Sequence, residues 1–167
     1  MKKYLNRSQV HILLTLAVMI IIFIESAMPG DMSGAQSGFF VRIIVSITGA
    51  DPDTAGFVIR KLAHFTEYAI LGMCIMLNVK DWYDARFDSV ESNSLYSLKA
   101  RHLWSLAWII GTAYAMSDEL HQRFVPGRSG EIRDVCIDAA GVAAGAFVAM
   151  ILMRRKDSNN NSTIQEA

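Results

Sequence analysis

The sequence contains few of the residues that define disulfide-rich, redox or zinc-binding proteins. Only Cys74 and Cys136 are cysteines, and neither belongs to a CxxC pair, so their spacing does not favour a zinc or redox site. Both lie in apolar runs. Their predicted depths in the helices differ by roughly 15 Å at 1.5 Å of rise per residue. We therefore expect no disulfide between them and interpret both as buried apolar side chains.

An excess of charge of one sign is also absent. Sixteen basic and sixteen acidic residues give a formal net charge of 0, so no global field attracts nucleic acid. No basic stripe with interleaved aromatic residues occurs either, and the sequence predicts no nucleic-acid partner. Hydrophobic residues make up 52% of the chain and charged residues 19%, which is more apolar than an ordinary soluble domain.

Four apolar stretches approach the length of about 20 residues that a helix needs to cross a membrane. They predict an all-α, polytopic membrane protein with a single domain over residues 1–156 and transmembrane helices at about 10–28, 62–79, 102–121 and 135–153. The third stretch is the weakest by hydropathy. The first has a basic start but no small-x-small cleavage site, so we interpret it as an uncleaved anchor.

The segments between these stretches predict the orientation. Residues 39–48 are apolar but too short to span, which predicts an interfacial helix in the first outer loop, followed by a helix start with Asp53 or Thr54 as N-cap. With a cytoplasmic N-terminus, ten of the sixteen basic residues would lie inside, so the positive-inside rule favours both termini in the cytoplasm. The polar tail at 157–167 is predicted to be disordered and cytoplasmic.

Ionisable residues gather at one end of the predicted bundle, on the extracytoplasmic side. Such residues inside a membrane usually face the bundle interior or a watery cavity. Helical spacing puts Lys61, His64 and Tyr68 on one face, and it puts Asp134 and Asp138 on the face of Gly141 and Gly145, a pair that permits close helix packing. The candidate binding pocket comprises Lys61, His64, Tyr68, Asp118, Glu119, His121, Gln122, Arg128, Asp134 and Asp138. Arg128 follows a Pro126-Gly127 turn.

These residues also resemble the signatures of the VanZ-like family. Residues 61–72 (KLAHFTEYAILG) resemble its K-x-x-H-F-x-x-Y-x-x-L-G pattern, and residues 118–145 resemble its D-E-x-x-Q, P-x-R, D and G-x-x-x-G series. Asp138 departs from the pattern, which has asparagine at that place. The resemblance implies a bacterial cytoplasmic-membrane protein whose relatives are linked to lowered susceptibility to teicoplanin-type lipoglycopeptides. It implies no mechanism.

The residues leave several functions open. The polar residues could form only an ion-pair network that ties the helix ends together, or a pocket that binds an anionic group. As an enzyme, the chain would use Asp118, Glu119, His64 or Asp134 as general acid or base, although the sequence favours binding over catalysis. Four helices are few for a transporter unless the chain oligomerises. Without an HExxH-type spacing we predict neither metal nor cofactor. The candidate partners are membrane lipid, a lipid-linked cell-wall precursor and a lipoglycopeptide.

Overall fold

The computed structural model describes residues 6–87 and 93–165, and these ranges contain helices and connecting loops but no strand. In chain order the helices are α1 (Arg7–Ser26), α2 (Gly30–Thr48), α3 (Pro52–Phe87), α4 (Asn93–Gln122) and α5 (Ile132–Gln165). The all-α prediction is confirmed.

Three of the helices are long and apolar enough to cross a membrane: α1, α3 and the Ile132–Arg155 part of α5. The surface of α1 is strongly apolar, with Leu13, Ile20 and Ile24 each about half exposed, at 50%, 58% and 56%. An apolar surface that the bundle does not cover is typical of a helix surrounded by lipid. The predicted third span, 102–121, lies within α4, which does not meet the same criterion, so its crossing stays a prediction.

Most helices are longer than predicted: α2 begins at Gly30, α3 ends at Phe87 and α4 begins at Asn93. The start of α3 and the end of α5 have a local cause. α3 begins at Pro52, about ten residues before the predicted span, and its N-cap is Asp51 rather than Asp53 or Thr54. Asp51 Oδ2 accepts hydrogen bonds from the Thr54 amide at 3.0 Å and the Thr54 hydroxyl at 3.1 Å. Proline suits the first helical position, because its fixed φ matches a helix and its missing N–H is not needed there.

At the other end of the chain, α5 continues to Gln165, where disorder was predicted from residue 157. No glycine or proline after Gly145 interrupts the helix before Gln165. Cys136 is exposed on α5 rather than buried, because it lies on the side of the helix that turns away from the bundle.

The α3–α5 pair forms the centre of the bundle through backbone contact. A Cβ on Gly145 would lie 1.7 Å from the Ala69 carbonyl oxygen, one on Gly141 would lie 2.5 Å from Phe65 O, and one on Gly72 would lie 2.2 Å from Val142 O. Only glycine permits this approach, so the positions bring the two helices together.

Hydrogen bonds to backbone carbonyls attach α4 to its neighbours. Trp104 and Trp108 donate their indole N–H groups to Ala143 O and Ala139 O on α5, each at 3.1 Å. The Tyr114 hydroxyl donates to Met19 O on α1 at 2.7 Å. These contacts bring the C-terminal ends of α1 and α4 beside the N-terminal ends of α3 and α5, where the polar residues lie.

Candidate functional site

A buried hydrogen-bond network joins the ends of α1 and α4. The Ser26 hydroxyl donates to Asp118 Oδ2 at 2.6 Å, and Gln122 Nε2 donates to the same oxygen at 3.2 Å and to Ser26 Oγ at 3.1 Å. All three residues are at most 3% exposed. Asp118 and Gln122 lie one helical turn apart on α4, so they reach Ser26 from the same face.

The loop after α4 holds its arginine against the end of α1. The Val125–Arg128 turn closes through Arg128 N donating to Val125 O at 3.2 Å, with Gly127 at φ 72°, as a type II turn requires after proline. Arg128 Nε donates to Met28 O and Nη2 to Glu25 O, each at 3.1 Å. Glu25 O belongs to the last turn of α1 and Met28 O lies just beyond it, where carbonyls lack the i+4 donor of a continuing helix. Arg128 therefore caps α1.

Arg128 also faces the positive charge of Arg60, and the carboxylates of Asp118, Glu119 and Glu67 partly offset it. Burial lowers the pKa of its guanidinium, and the charge of Arg60 lowers that pKa further. An anion placed between the two side chains would oppose both effects.

A cavity of about 250 Å³ opens between this loop and the N-terminal ends of α3 and α5, and we call it the polar-end cavity. Four cationic side chains and two carboxylates belong to its lining. The lining residues are Gly30, Phe57, Arg60, Lys61, His64, Gln122, Gly127, Arg128, Ser129, Glu131, Arg133 and Asp134.

One wall of the cavity is an ion pair stacked on an aromatic ring. Lys61 Nζ lies 2.5 Å from Asp134 Oδ1, which joins α3 to α5. Lys61 Nζ and Arg133 Cζ each lie 5.2 Å from the centre of the Phe57 ring, within the range of a cation–π contact. Phe57, Lys61 and His64 follow one another at helical spacing, so a single face of α3 lines this wall.

Behind the cavity lining lies a layer of buried polar groups without hydrogen-bond partners. His64 Nδ1 is 4.0 Å from Asp138 Oδ1, and Asp138 is 1% exposed. Within the described part of the chain, neither oxygen of Asp138, nor Asp118 Oδ1, nor the Tyr68 hydroxyl has a partner. Buried polar groups are nearly always hydrogen-bonded, so each exception indicates an ordered water, an ion or a chemical role.

The structure divides the predicted site residues into three groups. Lys61, His64, Gln122, Arg128 and Asp134 line the cavity. Tyr68, Asp118 and Asp138 lie in the buried layer behind it.

The remaining two make other contacts. Glu119 is 5% exposed and its Oε2 accepts the Glu131 amide at 3.1 Å, so it anchors the start of α5. His121 stacks on Phe23 of α1, with ring centroids 4.7 Å apart, and does not line the cavity.

The predicted pocket lacked several residues that the structure places in the cavity wall. The arginines Arg60 and Arg133 are the important ones, together with Phe57. The helical stripe through Lys61 and His64 includes Phe57 four residues earlier, so the sequence carried a signal for that residue. Glu25 and Glu67 were also left out of the predicted pocket, and neither belongs to the cavity lining. In residues 6–87 and 93–165, no three His, Cys, Asp or Glu side chains converge as a metal site.

A protein-family model described as VanZ/LLP1 matches residues 11–153, a range that contains every residue of the cavity lining. Among curated proteins and among solved structures, the search found no significant match.

Proposed function

Because this match covers most of its length, the chain belongs to the VanZ/LLP1 family, and we propose that it is a bacterial envelope membrane protein whose polar-end cavity binds an anionic group. The group would be a phosphate or carboxylate of an envelope lipid, a lipid-linked cell-wall precursor or a lipoglycopeptide. Binding of this kind would lower susceptibility to teicoplanin-type lipoglycopeptides, because the protein would either sequester the drug or shield the precursor that the drug binds.

The four cations around the cavity carry the proposal. Lys61 and Arg133 have carboxylate partners, and Arg128 donates to neutral carbonyls. Arg60 has no ion pair within the described residues, although it lines the cavity at intermediate exposure. Guanidinium groups bind phosphate and carboxylate through paired N–H donors. Arg60, and the Nη1 group of Arg128 that does not bond the α1 carbonyls, are suited to such a ligand.

The proposed topology exposes the cavity to the outer leaflet. In it, α4 is a fourth span, α2 lies at the interface and both termini are cytoplasmic. The apolar Ser37–Thr48 part of α2 and the basic residues at the opposite end of the bundle support this arrangement. Lipid-linked precursors and drug would then reach the cavity without crossing the membrane.

A binding titration tests the proposal. The full chain, purified in detergent, is titrated with a lipid-linked cell-wall precursor and followed by native mass spectrometry. Arg60→Gln removes a charged donor and should weaken binding about tenfold or more. Arg42→Gln is the matched control, because Arg42 is an exposed arginine of α2 outside the cavity. Equal losses in both variants, or no loss in Arg60→Gln, would contradict the proposal.

The buried layer favours a second function, acid/base catalysis on the bound envelope lipid or precursor. His64 lines the cavity, and its Nδ1 lies 4.0 Å from Asp138 Oδ1. It is therefore placed to pass a proton between a ligand and a buried carboxyl group. Asp118 has one free oxygen beside the Ser26 hydroxyl. If the precursor is incubated with the protein and a product appears that Asp118→Asn abolishes, the chain is an enzyme. Saturable binding with unchanged precursor excludes that function.

A further inference from the structure

A second polar pocket lies at the other end of the bundle, between α3, α4 and α5, and we call it the opposite-end pocket. Its volume is about 40 Å³, which suits a compact chemical group. The lining residues are Met76, Lys80, Asp84, Lys99, Ala100, Leu103, Met150, Met153 and Arg154. None of them belongs to the polar-end cavity.

The position of the pocket along the helices corresponds to the opposite boundary of a membrane. Lys80 follows Lys61 by 19 residues in α3, and Lys99 precedes Asp118 by 19 residues in α4. At 1.5 Å per residue each separation is about 28 Å. The hydrocarbon core of a bilayer is about 30 Å thick. In the proposed topology, the basic side chains of this pocket would therefore lie at the level of the phosphates of the other leaflet.

The pocket combines a cationic rim with an apolar wall. Lys80 and Lys99 both bind the Asp84 carboxylate, with Lys99 Nζ at 3.5 Å, and Lys99 Nζ lies 4.2 Å from the centre of the Tyr83 ring. Arg154 is exposed and has no ion pair within the described residues. Among the lining residues, three cations face a single carboxylate, so the rim has positive charge left for an anion. The apolar wall consists of Met76, Leu103, Met150 and Met153.

We propose that the opposite-end pocket binds the phosphate of an anionic phospholipid from the leaflet opposite the polar-end cavity. Basic pockets between transmembrane helices at the membrane boundary recognise anionic headgroups in this way. The lysines and Arg154 hold the phosphate, and the methionine- and leucine-lined wall contacts the glycerol and the first carbons of an acyl chain. Free inorganic phosphate offers nothing to that wall, so the lipid is the better ligand.

The test uses the full chain in a neutral detergent, titrated with phosphatidylglycerol and observed by native mass spectrometry. Lys99→Gln should weaken lipid binding at least fivefold. Asp84→Asn removes the competing carboxylate and should tighten lipid binding. Arg155→Gln should leave it unchanged, because Arg155 is an exposed neighbour of Arg154 outside the pocket. Phosphatidylcholine, whose headgroup has no net charge, should bind more weakly than phosphatidylglycerol.

Three results would overturn the proposal. Equal losses in Lys99→Gln and Arg155→Gln would indicate a diffuse basic surface instead of a pocket. Weaker binding in Asp84→Asn would show that Lys80, Lys99 and Asp84 only stabilise the fold. If the carboxylate competes with the lipid phosphate, its removal must increase the affinity. Displacement of phosphatidylglycerol by millimolar inorganic phosphate would assign the pocket to the free anion.

Discussion

Ser26 at the end of α1 donates its hydroxyl hydrogen to the carboxylate of Asp118 near the end of α4, across 92 residues of sequence and at 2.6 Å. Gln122 completes the network by donating to both groups. The three side chains are buried, so no water replaces a lost partner easily. This contact sets the relative height of α1 and α4 and thereby positions the floor of the polar-end cavity.

Removing the hydroxyl should destabilise the protein. We expect Ser26→Ala to lower the free energy of unfolding by about 1–3 kcal/mol, because Asp118 Oδ2 then keeps only Gln122 as a donor. Unfolding in detergent micelles measures the change. Ser105→Ala is the control, since Ser105 is not buried and bonds only the Arg101 carbonyl of its own helix. Similar stabilities of the two variants would show that the network contributes little.

The contact between α3 and α5 should not accept a methyl group at Gly145. Its Cβ would lie 1.7 Å from Ala69 O, so Gly145→Ala forces the helix backbones apart. Overpacking of this kind typically costs about 1–3 kcal/mol. A drop in the midpoint of thermal unfolding tests the expectation. Gly38→Ala, where nothing lies within 4 Å of the added Cβ, should not lower the midpoint, because alanine favours a helix more than glycine does.

Lys61 and Asp134 should prove coupled in a double-mutant cycle. Their side chains are only 21% and 14% exposed, and each single substitution leaves the other charge in the cavity wall. With Lys61→Met, Asp134→Asn and the double variant, we expect a coupling free energy of about 0.5–3 kcal/mol. The cycle is measured by unfolding in detergent at low salt. Strictly additive effects would mean that the pair does not join α3 to α5.

Arg128 should matter for stability as well as for the cavity. Lysine has one compact ammonium group and cannot reproduce the fork that reaches Met28 O and Glu25 O. Loss of one such charged hydrogen bond is expected to cost about 1.5–3 kcal/mol in Arg128→Lys. Arg123→Lys, at an exposed position of the same loop, should leave the free energy of unfolding unchanged. If Arg128→Lys loses ligand binding but keeps the stability of the parent protein, its capping role is refuted.

The proposed four-span topology predicts opposite locations for the two ends of α4. In a chain with Cys74→Ala and Cys136→Ala, the variants Arg101→Cys and Ser129→Cys each provide one exposed thiol. An impermeant maleimide should label Ser129→Cys in intact cells and Arg101→Cys only after permeabilisation. Labelling of both in intact cells would show that α4 does not cross the membrane, and the reverse pattern would invert the orientation.

Much of the helix content was predictable, because long apolar runs such as those in α1 and α5 have few alternatives. The positions of the helix ends were harder to predict. The start of α3 depends on the Asp51 cap and on Pro52, ten residues before its apolar run begins. α4 was the weakest prediction because apolar residues cover only part of its surface, and its tryptophans find their partners on α5 rather than in lipid.

The sequence by itself indicated that the candidate pocket residues share one end of a helical bundle, because a fixed rise per residue converts spacing into height. It also determined the inward faces of α3 and α5 through helical periodicity. Only the tertiary structure decided which charges meet. Arg60 and Arg133 join the cavity wall, Arg128 turns to the carbonyls of α1, and His121 stacks on Phe23 outside the cavity. These outcomes depend on the rotation of each helix about its axis and on the path of one loop. Contacts between residues about a hundred positions apart set both, and no local pattern encodes them.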